Sequence, residues 1–363
     1  MGLFRLFYPW GNHLGYALRN AFLFSLILNE GPNWEADAGF MDWLSLTELS
    51  DRSANFDQLI GQTPAIDRFC STLAWTVPAS KAMMVDPQPL ITQSEHGFVS
   101  MMRVPVANGI RLATPLEIGW GLAAPFAGEN PTALVRQLGV MWAERTQDID
   151  GLLVSGIPAT GVWIRPLMKR FVDTERIGLG ETCVRRMASL TGGLDGFMSR
   201  RSSKFRANLR RAERAGSSDG LVYEFHSQDE GGHLFQRILD IERDSWKGRA
   251  GEGFDQPPSD EFYQRMALRL ERAGRLRVVM ITRDGEDLAF VLGGVFQSLY
   301  RGLQMSYREG HRHLSLGNLG QLEMIRRLID EGIDTYDLGT EMPYKLSWAE
   351  TSFTTQMFVI MRH

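Results

Sequence analysis

Hydrophobic positions along the chain fall into two rhythms, one with a period near 3.6 residues and one near 2. In the first half, Leu134, Leu138 and Met141 recur at helical spacing and predict an amphipathic helix over Pro131–Glu144. Gly97–Val104 alternates in part and predicts a strand, as do Met83–Val85 and the apolar run within Asp150–Gly156. Pro166–Val172 predicts another helical piece, and a globular pattern begins over residues 43–60. This half reads as α/β.

The second half is more sharply patterned. Ser199–Gly216 predicts a basic helix and Leu221–Phe225 a strand. Gly232–Lys247 predicts a helix whose apolar face carries Leu234, Phe235, Ile238, Leu239, Ile241 and Trp246. A Gly- and Pro-rich loop, Gly248–Pro258, leads to a helix over Asp260–Ala273, stopped near Gly274. Strands follow over Arg275–Thr282, Leu288–Phe296 and Ser298–Ser306, with Asp284-Gly285 as a hairpin turn. A polar loop, Tyr307–Ser315, leads to Gly317 and a helix over Asn318–Asp330, closed by Gly332. A strand over Ile333–Leu338, a short helix over Pro343–Ala349 and a strand over Thr354–Met361 complete the chain. The order strand, strand, strand, helix, strand, helix, strand predicts a mixed sheet with helices on its faces, not a doubly wound parallel sheet.

Composition narrows the class. A chain of 363 residues holds about two domains at roughly 100–200 residues each. Hydrophobic residues at 44% and charged residues at 23% allow a sizeable core. The two cysteines, Cys70 and Cys183, stand far apart in no metal-ligand spacing. Neither a disulfide framework nor a zinc site is expected, and a reducing cytoplasm is. The net charge of −4 says little about partners, and no DNA partner is expected. The local distribution says more: Arg200, Arg201, Lys204, Arg206, Arg210, Arg211 and Arg214 face a single nearby acid, Glu213. That block suggests a local anion site. The apolar run Ala21–Leu28 is too short for a bilayer, which takes about 20 residues. It reads as a packed or partner-binding helix, with peripheral membrane contact as the alternative. Leu6 stands where lipidation after Gly2 would want Ser or Thr.

The first candidate for chemistry is the turn Arg312-His313-Leu314-Ser315-Leu316-Gly317, followed by the helix at Asn318. Small residues let backbone N–H groups approach a phosphate, and a helix N-terminus favours negative charge. The same residues also read as an ordinary strand-to-helix turn with a serine cap. Glu242 lies on or beside the apolar face of its helix, four residues from both Ile238 and Trp246. A carboxylate there is partly desolvated, which suits a base, although a boundary glutamate paired with a cation has the same pattern. Trp246 and Lys247, ahead of the Gly/Pro-rich loop, suit a lid over an acceptor pocket, or a core Trp anchoring a helix end. Arg206 and Arg210 share a helix face, and with Arg214 they could grip an anionic acceptor or a donor's phosphates, or could lie on a solvated face.

The order of elements, with Arg312-x-x-Ser315-x-Gly317, resembles the GNAT acyltransferase superfamily and its phosphate motif Q/R-x-x-G-x-G/A. Ser315 departs from the first glycine of that motif. The segments SSKFRANLRRAERAG, ERDSWKGRAG and DLGTEMPYKLSWAE, spread over Ser199–Glu350, resemble the tandem GNAT proteins labelled CelD/BcsL-like. FemABX aminoacyl transferases are more distant relatives. The resemblance implies two GNAT-like units, each a mixed, mostly antiparallel sheet flanked by helices. They are expected over 43–190 and 191–363, after an extension at 1–42. No phosphate turn is visible in the first, so one catalytic centre is expected, in the second.

The resemblance also implies roles. Acyl-CoA, with acetyl-CoA the leading donor, would enter as co-substrate against Arg312, Ser315, Leu316, Gly317 and Asn318, with no permanently bound cofactor. Tyr344 lies where such enzymes place a general-acid tyrosine, and Lys345 beside it could hold a phosphate or an acceptor carboxylate. The acceptor would be an amine or hydroxyl of a small molecule or envelope precursor. Two other readings stay open: aminoacyl transfer from charged tRNA, and a non-catalytic tandem protein that only binds a ligand. The sequence leaves the oligomeric state undetermined.

Overall fold

A computed structural model describes residues 41–84, 87–117, 120–145, 147–229 and 232–363. The expected helix over Ala21–Leu28 and the end of the expected strand at Val85 lie outside these residues. Within the described chain, contacts define two compact units. One comprises residues 41–183 with Thr354–His363, and the other Val184–Phe353. The division at 183/184, against 190/191 read from the sequence, falls inside a long strand, β7 (Arg176–Ser189). The final strand, β13 (Thr351–Met361), is likewise shared.

The first unit holds β1 (Asp42–Leu44), β2 (Gln88–Ser94), β3 (Gly97–Pro105), β4 (Arg111–Pro115) and β6 (Gly151–Ile157), with β5 (Phe126–Ala127) beside β3. Its strands run in the order β1-β2-β3-β4-β6-β13, antiparallel except for β4 with β6. The helix at Pro131–Glu144 buries Leu134, Leu138 and Met141, as its spacing predicts. The strand expected at Met83–Val85 is corrected at its described residues. A helix ends at Ala82, Met83 is its C-cap, and the strand starts only at Gln88. Three apolar residues cannot distinguish a helix end from a strand.

The second unit is a mixed sheet ordered β7-β12-β11-β10-β9-β8. Its further strands are β8 (Val222–His226), β9 (Leu276–Arg283), β10 (Glu286–Phe296), β11 (Leu299–Tyr307) and β12 (Thr335–Thr340). Only β11 with β12 is parallel among them. Asp284 and Gly285 both take positive φ, 52° and 81°, the geometry that makes Asp-Gly a tight hairpin. Six helices of this unit, numbered α1 to α6, matter below: α1 (Gly193–Ser199), α2 (Ser203–Ser218), α3 (His233–Asp244), α4 (Trp246–Arg249), α5 (Ser259–Arg272) and α6 (Leu316–Asp330).

Alternation along the strands sorts the core. Val279, Ile281, Ala289 and Val291 cluster with Leu316, Leu319 and Leu322 of α6 and Leu209 of α2. The intervening residues point the other way, where Phe254 packs on Phe290 and α3 covers β10 and β11. The single helix expected over Gly232–Lys247 breaks at Ser245, which is extended and caps α4 through Gly248 N–H at 3.2 Å. The basic helix starts at Ser203 with Ser202 as N-cap, not at Ser199. No helix of the described residues is long and apolar enough to cross a membrane.

Candidate functional site

An irregularity in β11 shapes the site. Leu292 of β10 stands opposite Gln304, yet Gly293 stands opposite Gly302. Leu303 is therefore an extra residue, a β-bulge. The parallel pairing of β11 with β12 covers Leu299–Thr335, Tyr300–Tyr336 and Arg301–Asp337. Both strands run on, to Tyr307 and Thr340, with no further pairing between them among the described residues. A gap opens there. Strand register shows which groups face it. Arg308 N–H donates to Leu288 O at 2.9 Å, so Arg308, Ser306 and Gln304 direct their backbone groups to β10. Met305 and Tyr307 direct theirs to the gap.

The turn Arg312–Gly317 lies at one end of this edge. Ser315 takes the left-handed conformation, φ 57° and ψ 31°, and its side chain makes no capping bond to α6. The serine cap that the sequence allowed is thus ruled out, and the first N–H groups of a 15-residue helix have no side-chain partner. Gly317 lies over β11: a Cβ there would sit 3.3 Å from Met305 Cε and 3.9 Å from the Tyr307 ring. Leu316 points into the core, so only its backbone can serve a ligand. Asn318 is exposed. Arg312 is largely exposed, with a 3.8 Å ion pair to Glu309.

At the gap edge, Lys247 Nζ lies 3.3 Å from Met305 O, 3.2 Å from Gln304 Oε1 and 3.2 Å from Glu242 Oε1. Gln304 Nε2 donates to the Tyr263 hydroxyl at 2.7 Å. Glu242 is fully buried. Its Oε1 also accepts the Phe254 N–H at 3.3 Å, and its Oε2 is buried without a hydrogen-bond partner. Lys247, read as part of a lid, is thereby fastened to the sheet. Trp246 is 50% exposed, so the alternative of a core tryptophan fails.

The floor of the gap is ionic. Asp337 Oδ2 lies 2.8 Å from Arg301 and 3.3 Å from Arg185, and all three are almost completely buried. Burial pushes the Asp337 carboxyl up, but Arg301, Arg185 and the Gly339 N–H together hold it below its ordinary range. Burial also lowers Arg185, to about 10, which leaves it charged at neutral pH. Lys345 turns inward to this region: it is buried, and its Nζ donates to Thr340 O at 2.8 Å. Lys345, read as a hold for a phosphate or an acceptor carboxylate, thus spends one of its donors on a backbone carbonyl. Tyr344 stays 45% exposed, and the protein packed around it pushes its hydroxyl pKa above the ordinary tyrosine value.

The basic helix is also reassigned in part. Arg206 Nη1 donates to Arg201 O at 2.6 Å and Met198 O at 3.4 Å, at the C-terminal end of α1. It satisfies helix-end carbonyls and is not a free anion grip. Arg210 remains exposed. Gln304, Tyr263, Arg301, Arg185 and the bulge escaped the sequence reading. Gly293, Gly294 and Gly302, three glycines inside strand patterns, were the available signal.

Residues 203–346 match the family model described as an acetyltransferase (GNAT) domain. The second unit carries a GNAT domain. The chain also shares its fold with FemX, at 11% identity and TM-score 0.63, over 87% of this chain and 96% of that one. A conserved protein from Bacteroides thetaiotaomicron is similar at 11% identity and TM-score 0.59, over 89% of this chain and 100% of that one. The C-terminal domain of a lysylphosphatidylglycerol synthetase-like protein from Agrobacterium fabrum follows at 14% identity and TM-score 0.54, over 87% and 92%. Likeness at these identities is one of fold, and it extends over both units. No curated protein matches the chain.

Proposed function

We propose that this protein is a cytoplasmic acyltransferase that moves an acyl group from acyl-CoA, with acetyl-CoA the simplest donor, to an amine or hydroxyl of a small-molecule or envelope-precursor acceptor. The observation that carries the reading is the uncapped N-terminus of α6 set against the unpaired edge of β11. A helix N-terminus takes a pyrophosphate. An unpaired strand edge takes an extended, amide-bearing arm by strand-like hydrogen bonds. A thioester delivered along that edge meets the N–H groups of Met305 and Tyr307, which suit the oxygen that gains charge as the carbonyl is attacked. The acceptor's lone pair forms the new bond to the carbonyl carbon and the C–S bond breaks. The Tyr344 hydroxyl protonates the departing thiolate, the acceptor's proton leaves to solvent, and the Tyr344 phenolate takes a proton back from solvent. Trp246, half exposed beside Lys247, is suited to cover an acceptor.

Thermal unfolding with free CoA and acyl-CoAs tests this. A ligand at 100 times its Kd adds about 2.7 kcal/mol, a shift well within reach of the assay. No stabilisation by any CoA species would remove the reading. A second reading, aminoacyl transfer from charged tRNA, is favoured by one observation: Lys204, Arg210, Arg211 and Arg214 are all exposed on α2. It requires tRNA binding that weakens steeply with salt.

A further inference from the structure

We propose that Lys247 is a positioning residue that fixes the gap-facing edge of β11, and that Glu242 is its counter-ion rather than the base for the acceptor's proton. The proposal rests on the acyl-transfer reading above and assigns the work of two residues within it. A base must reach its proton within about 2.6–3.2 Å, directly or through one water. Glu242 has no exposed surface. One of its oxygens is taken by Lys247 and the Phe254 N–H, and the other is sealed in the interior.

Lys247 suits the positioning role in detail. An ammonium has three donors and no acceptor, and three acceptors surround this one: Glu242 Oε1, Gln304 Oε1 and Met305 O. Met305 O belongs to the edge that faces the gap, as the register requires. Holding that carbonyl fixes the Met305–Ser306 peptide, next along the strand to the Gln304–Met305 peptide whose N–H faces the same edge. The Gln304 side chain is held at its other end by Tyr263. The residues just beyond the bulge are therefore clamped where a bulged strand would otherwise lose ladder bonds and slip.

The local sequence serves this clamp. Ser245 ends α3 and starts α4, which turns Lys247 toward β11. Gly248 lets the chain pass the end of α3, because a Cβ there would sit 2.2 Å from Glu242 O. The Ser-Trp-Lys-Gly segment is thus a device for delivering one ammonium to one peptide group. The partly buried cation needs a nearby negative charge, and Glu242 supplies it.

The test compares K247M, K247R, E242Q and the E242Q/K247M double variant by acetyl-transfer kinetics and by amide hydrogen exchange over residues 303–307. K247M is expected to lower kcat roughly 10- to 100-fold, the usual worth of a charge-assisted hydrogen bond. KM for acetyl-CoA stays within about twofold, and exchange at Gln304 and Ser306, whose N–H groups face β10, rises. K247R restores most of both. E242Q loses as much as K247M, and the double variant is no worse than either, because the residues act as one unit. Loss of kcat in E242Q with unchanged exchange would restore Glu242 as a base and overturn the proposal. Wild-type exchange in K247M would overturn it equally. Should K247M fold poorly, K247R and E242Q carry the same comparison. A wild type that transfers no acyl group defeats the parent reading alone, since the exchange measurements still decide what Lys247 holds.

Discussion

Replacing Ser315 by glycine should stabilise the protein, and the reason lies in one pair of dihedrals. Ser315 sits at φ 57° and ψ 31°, where a Cβ crowds the following carbonyl and costs about 1–2 kcal/mol. Its hydroxyl gives no capping bond to α6 that would offset this. Glycine removes the clash but adds unfolded-state freedom worth roughly 0.5–1 kcal/mol. The expected net gain is about 0.5–1 kcal/mol, or roughly 1–4 °C in Tm for a unit of this size. Ser315→Ala is the control, because it keeps the Cβ and removes only the hydroxyl. Denaturant unfolding of the three proteins should rank Gly above Ser, with Ala at or slightly below Ser. Equal stabilisation by Gly and Ala would refute the reasoning, since the hydroxyl and not the backbone would then be responsible. Binding of CoA, followed in parallel, reports whether the hydroxyl touches a phosphate: Ala would then weaken it as much as Gly.

Other substitutions probe the rest of the site. Asp337→Asn should cost about 3–5 kcal/mol in urea unfolding, because it leaves Arg185 and Arg301 buried without their carboxylate. Asp337 has a depressed pKa in the folded state, so its contribution is complete above the unfolded value of about 3.9 and is lost as pH falls through the lower folded value. The Asn variant should therefore lack that part of the acid loss of stability. Gly317→Asp puts negative charge in the first turn of α6, which should stabilise the free protein by about 0.3–1 kcal/mol while abolishing the thermal shift with CoA. A retained shift would show that the phosphates bind elsewhere. Tyr344→Phe should lower turnover and leave CoA affinity intact, as measured by kinetics and by equilibrium titration. Unchanged turnover would remove Tyr344 as the proton donor.

Much of the second unit was legible from its pattern because local forces set it. The Asp284-Gly285 hairpin and most of the buried face of α3 follow from turn chemistry and periodicity alone, and the observed helices and strands start and stop within a few residues of the expected ones. Failures came where the signal was short or nonlocal. Met83–Val85 was too short to assign. β7 lacks a clear period because exposed, half-buried and buried residues follow one another irregularly along it.

For the site, the sequence determined the inventory: a turn ending in Gly317, a lysine after a helix break, a tyrosine after a strand. It could not determine orientation. Arg206 and Lys345 looked available to ligands, and each is turned onto backbone carbonyls. Glu242 looked like a base and faces Lys247. Gln304 and Tyr263 gave no local sign, because their partners, each other and Lys247, lie 41 and 57 residues away. Which way a side chain points depends on strand register, on a single extra residue at Leu303 and on where β12 stops pairing. Those are properties of packed strands, in which distant segments compete for the same hydrogen bonds, and no short window of the chain contains them.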